Sequence, residues 1–333
     1  MENIIVTGHR GYIGWILTRK LLKRGFNVTG IDLGLYDDYV YKFKNEKVEF
    51  EEIEKDVREL NAEDIEGADA IIHLAALSND PLGELNPGLT MEINGKGSVR
   101  LAKLAKSVGV ERFVFSSSCS VYGRLDEDEI ADETHTTEPI TEYAKSKLYA
   151  EEYISSLASE DFTPVYMRNA TVHGYSPSLR LDLVVNNLTA WGFFTDKINI
   201  LSDGRPWRPL IHVQDLSNVF IKMLEAPKDK VHNEVFNVGF TEENYQIKGI
   251  GKIIEEVIAE AELTIAKEYD PDSRSYHVDF KKLEKTIKPK RKWNVNKGAK
   301  ELYLFFKQSE MSRKMFKNEI GARLNQLNPE ELK

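Results

Sequence analysis

The sequence predicts an α/β protein: a doubly wound parallel sheet over residues 1–173, with a smaller mixed α/β lobe over residues 174–333. Three observations lead there. Short β-branched runs alternate with helix-period stretches through the first half, the pattern of βαβ units whose parallel strands need helical crossovers. The turn between the first strand and the first helix is rich in glycine, Thr7-Gly8-His9-Arg10-Gly11-Tyr12-Ile13-Gly14. After about Gly174 the rhythm loosens, with Pro177, Gly204, Pro206 and Pro209 interrupting it.

The strand candidates, in order, are Asn3–Thr7, Val28–Asp32, Val48–Ile53, Ala70–Ala75, Arg112–Ser117 and Pro164–Arg168, each a short run rich in β-branched or aromatic residues. Between them, apolar residues recur at helical spacing in Tyr12–Arg24, Asn94–Val108 and Thr141–Leu157. Gly25, Gly109 and Gly123 punctuate the ends. In the second half, helical pieces are expected at Val213–Leu224 and Gly249–Ala261, and a strand at Glu234–Val238. The boundary is soft, because such a lobe can return a strand and a helix to the main sheet. The stretch Glu301 to Lys333 is helix-compatible and amphipathic, and either covers the core or meets a partner chain.

Composition narrows the classes. The 333 residues, 41% of them hydrophobic and 30% charged, suit one large domain or two that share a core. A net charge of −9 argues against nucleic-acid or anionic-membrane partners, and the basic stretch Lys281 to Lys300 reads as a solvated face. A single cysteine, Cys119, excludes an internal disulfide and fits a reducing compartment. The seven histidines show no metal-ligand spacing, so no metal is expected. With no apolar run near 18 residues and no basic-then-apolar N-terminus, a cytoplasmic protein is expected.

A strand that enters a glycine turn and leaves as a helix aims backbone N–H groups and a helix dipole at one point, which favours a pyrophosphate. Gly8 allows the tight turn, Gly11 the approach of phosphate, and Gly14 close helix–strand packing. Asp32 ends the second strand 18 residues past Gly14, where a carboxylate accepts from ribose hydroxyls and repels a 2′-phosphate. NAD is therefore expected over NADP. Asp56-Val57 is placed to contact adenine, and His73-Leu74-Ala75-Ala76 offers small residues at a strand end where a cofactor crosses.

Tyr143 and Lys147 lie four apart on an expected helix and share a face. An ammonium there stabilises phenolate. Ser118, 25 positions before Tyr143 and at the end of the fifth strand, can hydrogen-bond a substrate oxygen and the tyrosine. Together they can deprotonate an alcohol as hydride leaves its carbon.

The set Gly8-x-x-Gly11-x-x-Gly14, Asp56-Val57, His73-Leu74-Ala75-Ala76, Asn94, Ser118, Tyr143-x-x-x-Lys147 and Phe236-Asn237-Val238-Gly239 resembles the extended short-chain dehydrogenase/reductases of the nucleotide-sugar epimerase/dehydratase family, over nearly the whole chain. The resemblance implies a Rossmann-type domain with Tyr143 as acid/base, Ser118 as its partner and Lys147 binding ribose. It implies further cofactor contacts from Tyr12, Ile13, Leu74, Ala75, Ala76, Ser78, Asn94, Ser116, Ala170 and Val172. Thr171, Asn186, Arg208 and Arg274 fall to a nucleotide-diphosphate sugar, a UDP- or dTDP-hexose, the arginines gripping its phosphates. A homodimer through the helices around Asn94–Val108 and Thr141–Leu157 is also implied.

The residues after Ser118 separate the family's reactions. Dehydratases resemble one another in placing Asp and Glu there, and decarboxylases a Glu close by; this chain has Cys119 and Ser120, closer to the Ala-Thr of 4-epimerases. Cys119 reads as a small buried filler. The expected reaction is thus 4-epimerisation through a 4-keto sugar. A 4-ketoreductase using the same residues is the alternative, and a non-catalytic NAD-binding module a distant one. Where the family reads Arg-Tyr-Phe-Asn, this chain has Arg168-Asn169-Ala170-Thr171, which implies an unusual hexose.

Overall fold

A computed structural model of the protein describes residues 1–35, 37, 48–78, 86–266, 274–309, 311–314 and 316. The main sheet has seven strands: β1 (Asn3–Thr7), β2 (Asn27–Asp32), β3 (Glu51–Glu54), β4 (Ala70–His73), β5 (Arg112–Ser118), β6 (Thr163–Asn169) and β10 (Glu234–Val238). Their order is β10-β6-β5-β4-β1-β2-β3, and every pairing is parallel. Among the described residues the longer helices are α1 (Tyr12–Lys23), α2 (Ser98–Ser107), α3 (Glu142–Ser155), α4 (Val184–Thr195), α5 (Val213–Glu225), α6 (Ile247–Val257) and α7 (Val295–Gln308).

A parallel sheet must be covered on both faces, and the strand alternation does this. Ile4, Val6 and Val114 point to the side held by Leu17 and Leu21 of α1 and Phe220 and Met223 of α5. Ile5, Phe113 and Phe115 point to the other, against Leu101 and Ala105 of α2 and Ile154 of α3. A third cluster, with Val185, Leu188, Leu210, Ile250 and Val295, forms the core of the lobe. There β9 (Trp207–His212) lies between β7 (Thr171–His173), parallel to it, and β11 (Asn244–Gln246), antiparallel. A parallel pair, β8 (Lys197–Ile200) and β12 (Glu262–Ile265), completes it.

The first-half elements agree with expectation to within a few residues, with one exception. The helix expected over Asn94–Val108 begins as a π-helical turn, Met91–Gly97, before becoming α2. The lobe departs more. Helix α4 was not expected because its Val-Val-Asn-Asn start and Gly192 carry no apolar stripe; it is buried nearly all round, at Val185, Asn186, Leu188, Thr189, Ala190 and Gly192. Strand β9 contains Pro209, which argues against a central strand. Pro209 pairs only with Asn244, however, and pairing to β7 starts at Leu210, so no second ladder bond is lost.

Strand β10, from beyond the expected boundary at residue 173, pairs with β6. Helix α5 packs with α1 on the same face of the sheet. At the C-terminal end α7 starts at Val295, before the expected Glu301, and buries Leu302, Phe305 and Phe306. Phe316 stacks on Phe194 at 4.9 Å between ring centroids, as core packing requires. The remainder of that expected helix, residues 317–333, lies outside the described residues, as do Asp272 and Ser273 beside Arg274.

Candidate active site

Strand β1 delivers the chain into the glycine turn at Gly8, whose φ of +76° suits glycine. A Cβ there would lie 2.7 Å from the Ala75 nitrogen, and one on Gly14 would lie 2.1 Å from the Gly8 carbonyl oxygen. The turn is thus closed to side chains by geometry. Helix α1 starts at Tyr12, Gly11 before it gives no side-chain cap to its first N–H groups, and the turn from Gly11 to Gly14 lines the cleft.

Asp32 ends β2, its two oxygens accepting from the Arg10 N–H at 3.0 Å and the Gly34 N–H at 2.9 Å. Three further carboxylates hold the Arg10 guanidinium: Asp37 at 2.9 Å, Glu54 at 3.0 Å and Glu52 at 3.4 Å. This end is therefore acidic around a neutralised arginine, which disfavours a 2′-phosphate. Asp56 also lines the cleft. Burial would raise its pKa, but hydrogen bonds from Arg58 outweigh that and hold it below the usual carboxylate range.

One cavity of about 470 Å³ runs from this turn to the lobe. Of the residues assigned from sequence, Gly8, Gly11, Tyr12, Ile13, Gly14, Asp32, Asp56, Val57, Leu74, Ala75, Ala76, Ser78, Ser116, Ser118, Tyr143, Lys147, Ala170, Thr171, Val172, Arg208 and Arg274 line it. Two assigned residues do not. Asn94 is buried in the π-turn, its amide closing two bonds with the Leu77 backbone, at 2.8 and 3.0 Å. It shapes the wall and does not face the cleft. Asn186 is likewise buried, accepting from the Gly174 N–H at 3.0 Å and donating to the Tyr12 hydroxyl at 3.2 Å and the Arg180 carbonyl at 2.9 Å. It joins the lobe to α1 and lies outside the cavity lining.

Ser118 ends β5, where its Oγ accepts from the Ser120 N–H at 3.1 Å and hydroxyl at 2.9 Å. Thr141 caps α3 by accepting from the Ala144 N–H at 3.2 Å, which sets Tyr143 in the first turn. One turn on, Lys147 is 2% exposed, its Nζ 4.9 Å from the Phe115 ring centroid and 5.7 Å from that of Tyr143. Burial brings its ammonium down to about 7, and the Glu151 carboxylate opposes the shift. Cys119 is buried, its thiol pushed up by burial and donating to the Arg168 carbonyl at 3.1 Å.

Behind this row lies a buried network that sequence reasoning missed. Arg168 and Glu151 pair at 2.8 Å, Ser117 donates to Glu151, and Arg168 donates to the Tyr122 hydroxyl at 3.0 Å. Tyr122 in turn donates to Asn237 at 2.7 Å. A signal existed: Tyr143, Lys147 and Glu151 recur every four residues along one helix face. His73 is buried between the Thr7 and Ser98 hydroxyls, at 2.6 and 2.8 Å, and burial holds it neutral, with a pKa of about 3.

At the lobe end Arg208, on β9, donates to the Arg274 carbonyl at 2.6 Å and lies 5.2 Å from the Tyr276 ring centroid. Also lining the cavity, and not foreseen, are Arg10, Ser120, Asn169, Arg180, Asp182 and Tyr276. Arg180 pairs with Asp182 and donates to the Ser78 hydroxyl at 3.0 Å, bridging the lobe to the segment that follows β4.

The side-chain-free glycine cradle, the uncapped helix and Asp32 fit a dinucleotide. With the Ser118, Tyr143 and Lys147 row opening on the same cleft, fold and site define a protein of the short-chain dehydrogenase/reductase type. The chain belongs to the NAD dependent epimerase/dehydratase family, whose profile matches residues 4–239. NAD is its cofactor.

Relatives within the family differ in reaction. The chain is 26% identical over 329 residues to UDP-glucuronate 4-epimerase of Thermodesulfobacterium geofontis, covering 93% of this chain and 97% of that protein. It is 28% identical over 313 residues to UDP-glucuronic acid decarboxylase 4 of Arabidopsis thaliana, covering 90% of this chain and 63% of the other. The structure superposes on TunA, a NAD-dependent NDP-hexosamine 5,6-dehydratase involved in tunicamycin biosynthesis, with a TM-score of 0.80. That match has 23% identity and covers 93% and 99% of the two chains, a likeness of fold. No helix among the described residues is long and apolar enough to cross a membrane.

Proposed function

We propose that the protein is a nucleotide-sugar 4-epimerase that recycles its own NAD. The observation that carries this choice is the turn after Ser118. Elimination or decarboxylation needs a further acid or base beside the tyrosine. Here Cys119 is turned into the core and Ser120 offers only a hydroxyl, bonded to Ser118.

In this mechanism Tyr143 takes the proton of the sugar 4-hydroxyl and later returns it. Bound NAD supplies reversible hydride acceptance and would be held by the glycine turn, Asp32 and Lys147. Lys147, charged once a phenolate and diphosphate adjoin it, stabilises Tyr143 as the anion. Ser118 exchanges its bond to Ser120 for one to the sugar oxygen. Arg208 and Arg274 hold the diphosphate, so the keto sugar can turn about that anchor and be reduced on its other face. The sugar is a UDP- or dTDP-hexose, and the enzyme acts as a homodimer through the α2 and α3 side, where Tyr153 is 50% exposed.

The test is incubation of purified protein with UDP-glucose, UDP-glucuronate and dTDP-glucose without added cofactor. Interconversion of 4-epimers is expected. Turnover only of a 4-keto sugar with added NADH, or release of carbon dioxide or of a dehydrated sugar, overturns the proposal.

A further inference from the structure

Asn169 is the last residue of β6, and the sheet register pairs it with Ser118. Its side-chain nitrogen donates to the Ser116 hydroxyl at 2.9 Å and to the Ser117 carbonyl at 3.2 Å. A carbonyl only accepts, so these bonds fix which way the amide faces: Nδ2 toward β5 and Oδ1 away from it. That Oδ1 is buried and has no hydrogen-bond partner among the described residues. The residue is 8% exposed, yet it lines the cavity with Ser118 and Tyr143.

An acceptor buried and unmet costs about as much as a lost hydrogen bond, and such groups in native proteins call for a cause. A ligand N–H or O–H arriving in the cleft supplies one. Sugar hydroxyls can find partners in Ser118, Ser120 and Thr171, which both donate and accept. Oδ1 can only accept. It stands beside the serine where an alcohol carbon and the nicotinamide ring must meet, if Ser118 and Tyr143 form the reaction centre. The nicotinamide ring brings one donor group there, the NH2 of its carboxamide.

We propose that Asn169 is a positioning residue whose Oδ1 accepts a hydrogen bond from the nicotinamide carboxamide. Holding that amide fixes the rotation of the ring about its bond to ribose, and so the face turned to the sugar. The role is separate from proton transfer, and it rests on NAD lying in this cleft with its ring at Ser118.

The probe is 3-acetylpyridine adenine dinucleotide, which keeps the carbonyl but carries a methyl group in place of the N–H donor. Calorimetric titration of the full chain should give roughly tenfold tighter binding of NAD than of this analogue. In Asn169→Leu, and in Asn169→Ser should the leucine variant not fold, the ratio should fall toward one. Equal binding of the two dinucleotides by the unaltered protein overturns the proposal without any variant. A ratio that persists in both variants also overturns it, as does a raised KM for the sugar at an unchanged dinucleotide ratio. Unaltered protein that binds neither dinucleotide overturns the cofactor assignment, and the proposal with it.

Discussion

The two ends of the cleft are made of different materials. At the dinucleotide end the work falls to backbone: a glycine turn that excludes a Cβ, an uncapped helix start and strand ends in register. At the lobe end, which the proposed function gives to the sugar, it falls to long side chains: Arg208 on β9, bonded to the Arg274 carbonyl, and Arg180 and Arg274 on irregular segments, Arg180 bonded to the Ser78 hydroxyl. A backbone site is shared by all ligands with a diphosphate and a ribose, whereas a side-chain site can be retuned residue by residue. That division matches similar proteins that are named for different reactions, an epimerase, a decarboxylase and a dehydratase.

The comparison can be broken at its junction first. Tyr143→Phe removes the proton carrier where the ends meet, and turnover should fall by roughly 10²- to 10⁴-fold with NAD and sugar both still bound. Rates and titrations on the same sample check this, and near-normal turnover would sink the catalytic assignment. Next comes the backbone end. Gly14→Ala puts a Cβ 2.1 Å from the Gly8 oxygen, so NAD binding should be lost and stability should drop by about 1–3 kcal/mol in a urea melt.

The side-chain end should respond more selectively. Arg208→Ala should weaken nucleotide-sugar binding roughly tenfold while NAD affinity holds. Equal loss of both ligands would show that the ends are not separable. The last effect is electrostatic and builds gradually with pH. Lys147 has a folded pKa of about 7 against 10.5 when free, so between those pH values the unfolded chain holds the extra proton. Stability of the ligand-free protein should therefore rise with pH through that window, by at most about 1.4 kcal/mol per pH unit. Lys147→Met should flatten the curve.

What was legible in the sequence follows the same division. Gly8, Gly14, Asp32 and the spacing of Tyr143 and Lys147 were readable because each is tied to a local backbone requirement: a turn, a strand end, a helix face. Asn94 and Asn186, assigned to ligands from the sequence, lie outside the cavity lining, because polar residues matching a ligand-binding pattern can equally satisfy buried backbone. Asn94 does so at Leu77 and Asn186 at Gly174 and Arg180. Nothing local distinguishes the two uses. Arg180 and Asn169 were not assigned because their positions depend on contacts reaching 102 and 53 residues along the chain, to Ser78 and Ser116. Helix α4 escaped notice because a helix buried on every side has no periodic stripe to read.

The pairing of β10 with β6 bears on how this chain could be taken apart. The chain leaves the sheet after β6, and the segment through β9 and α5 intervenes before the next sheet strand, β10. A cut at residue 173 would therefore not yield a free-standing cofactor half. It would leave six strands, with β6 newly exposed as an open edge, and a lobe carrying an orphaned strand. Exchange of sugar specificity between relatives is better attempted as a cassette spliced between β6 and β10, with Tyr12, Asn186 and Gly174 kept together as the seam.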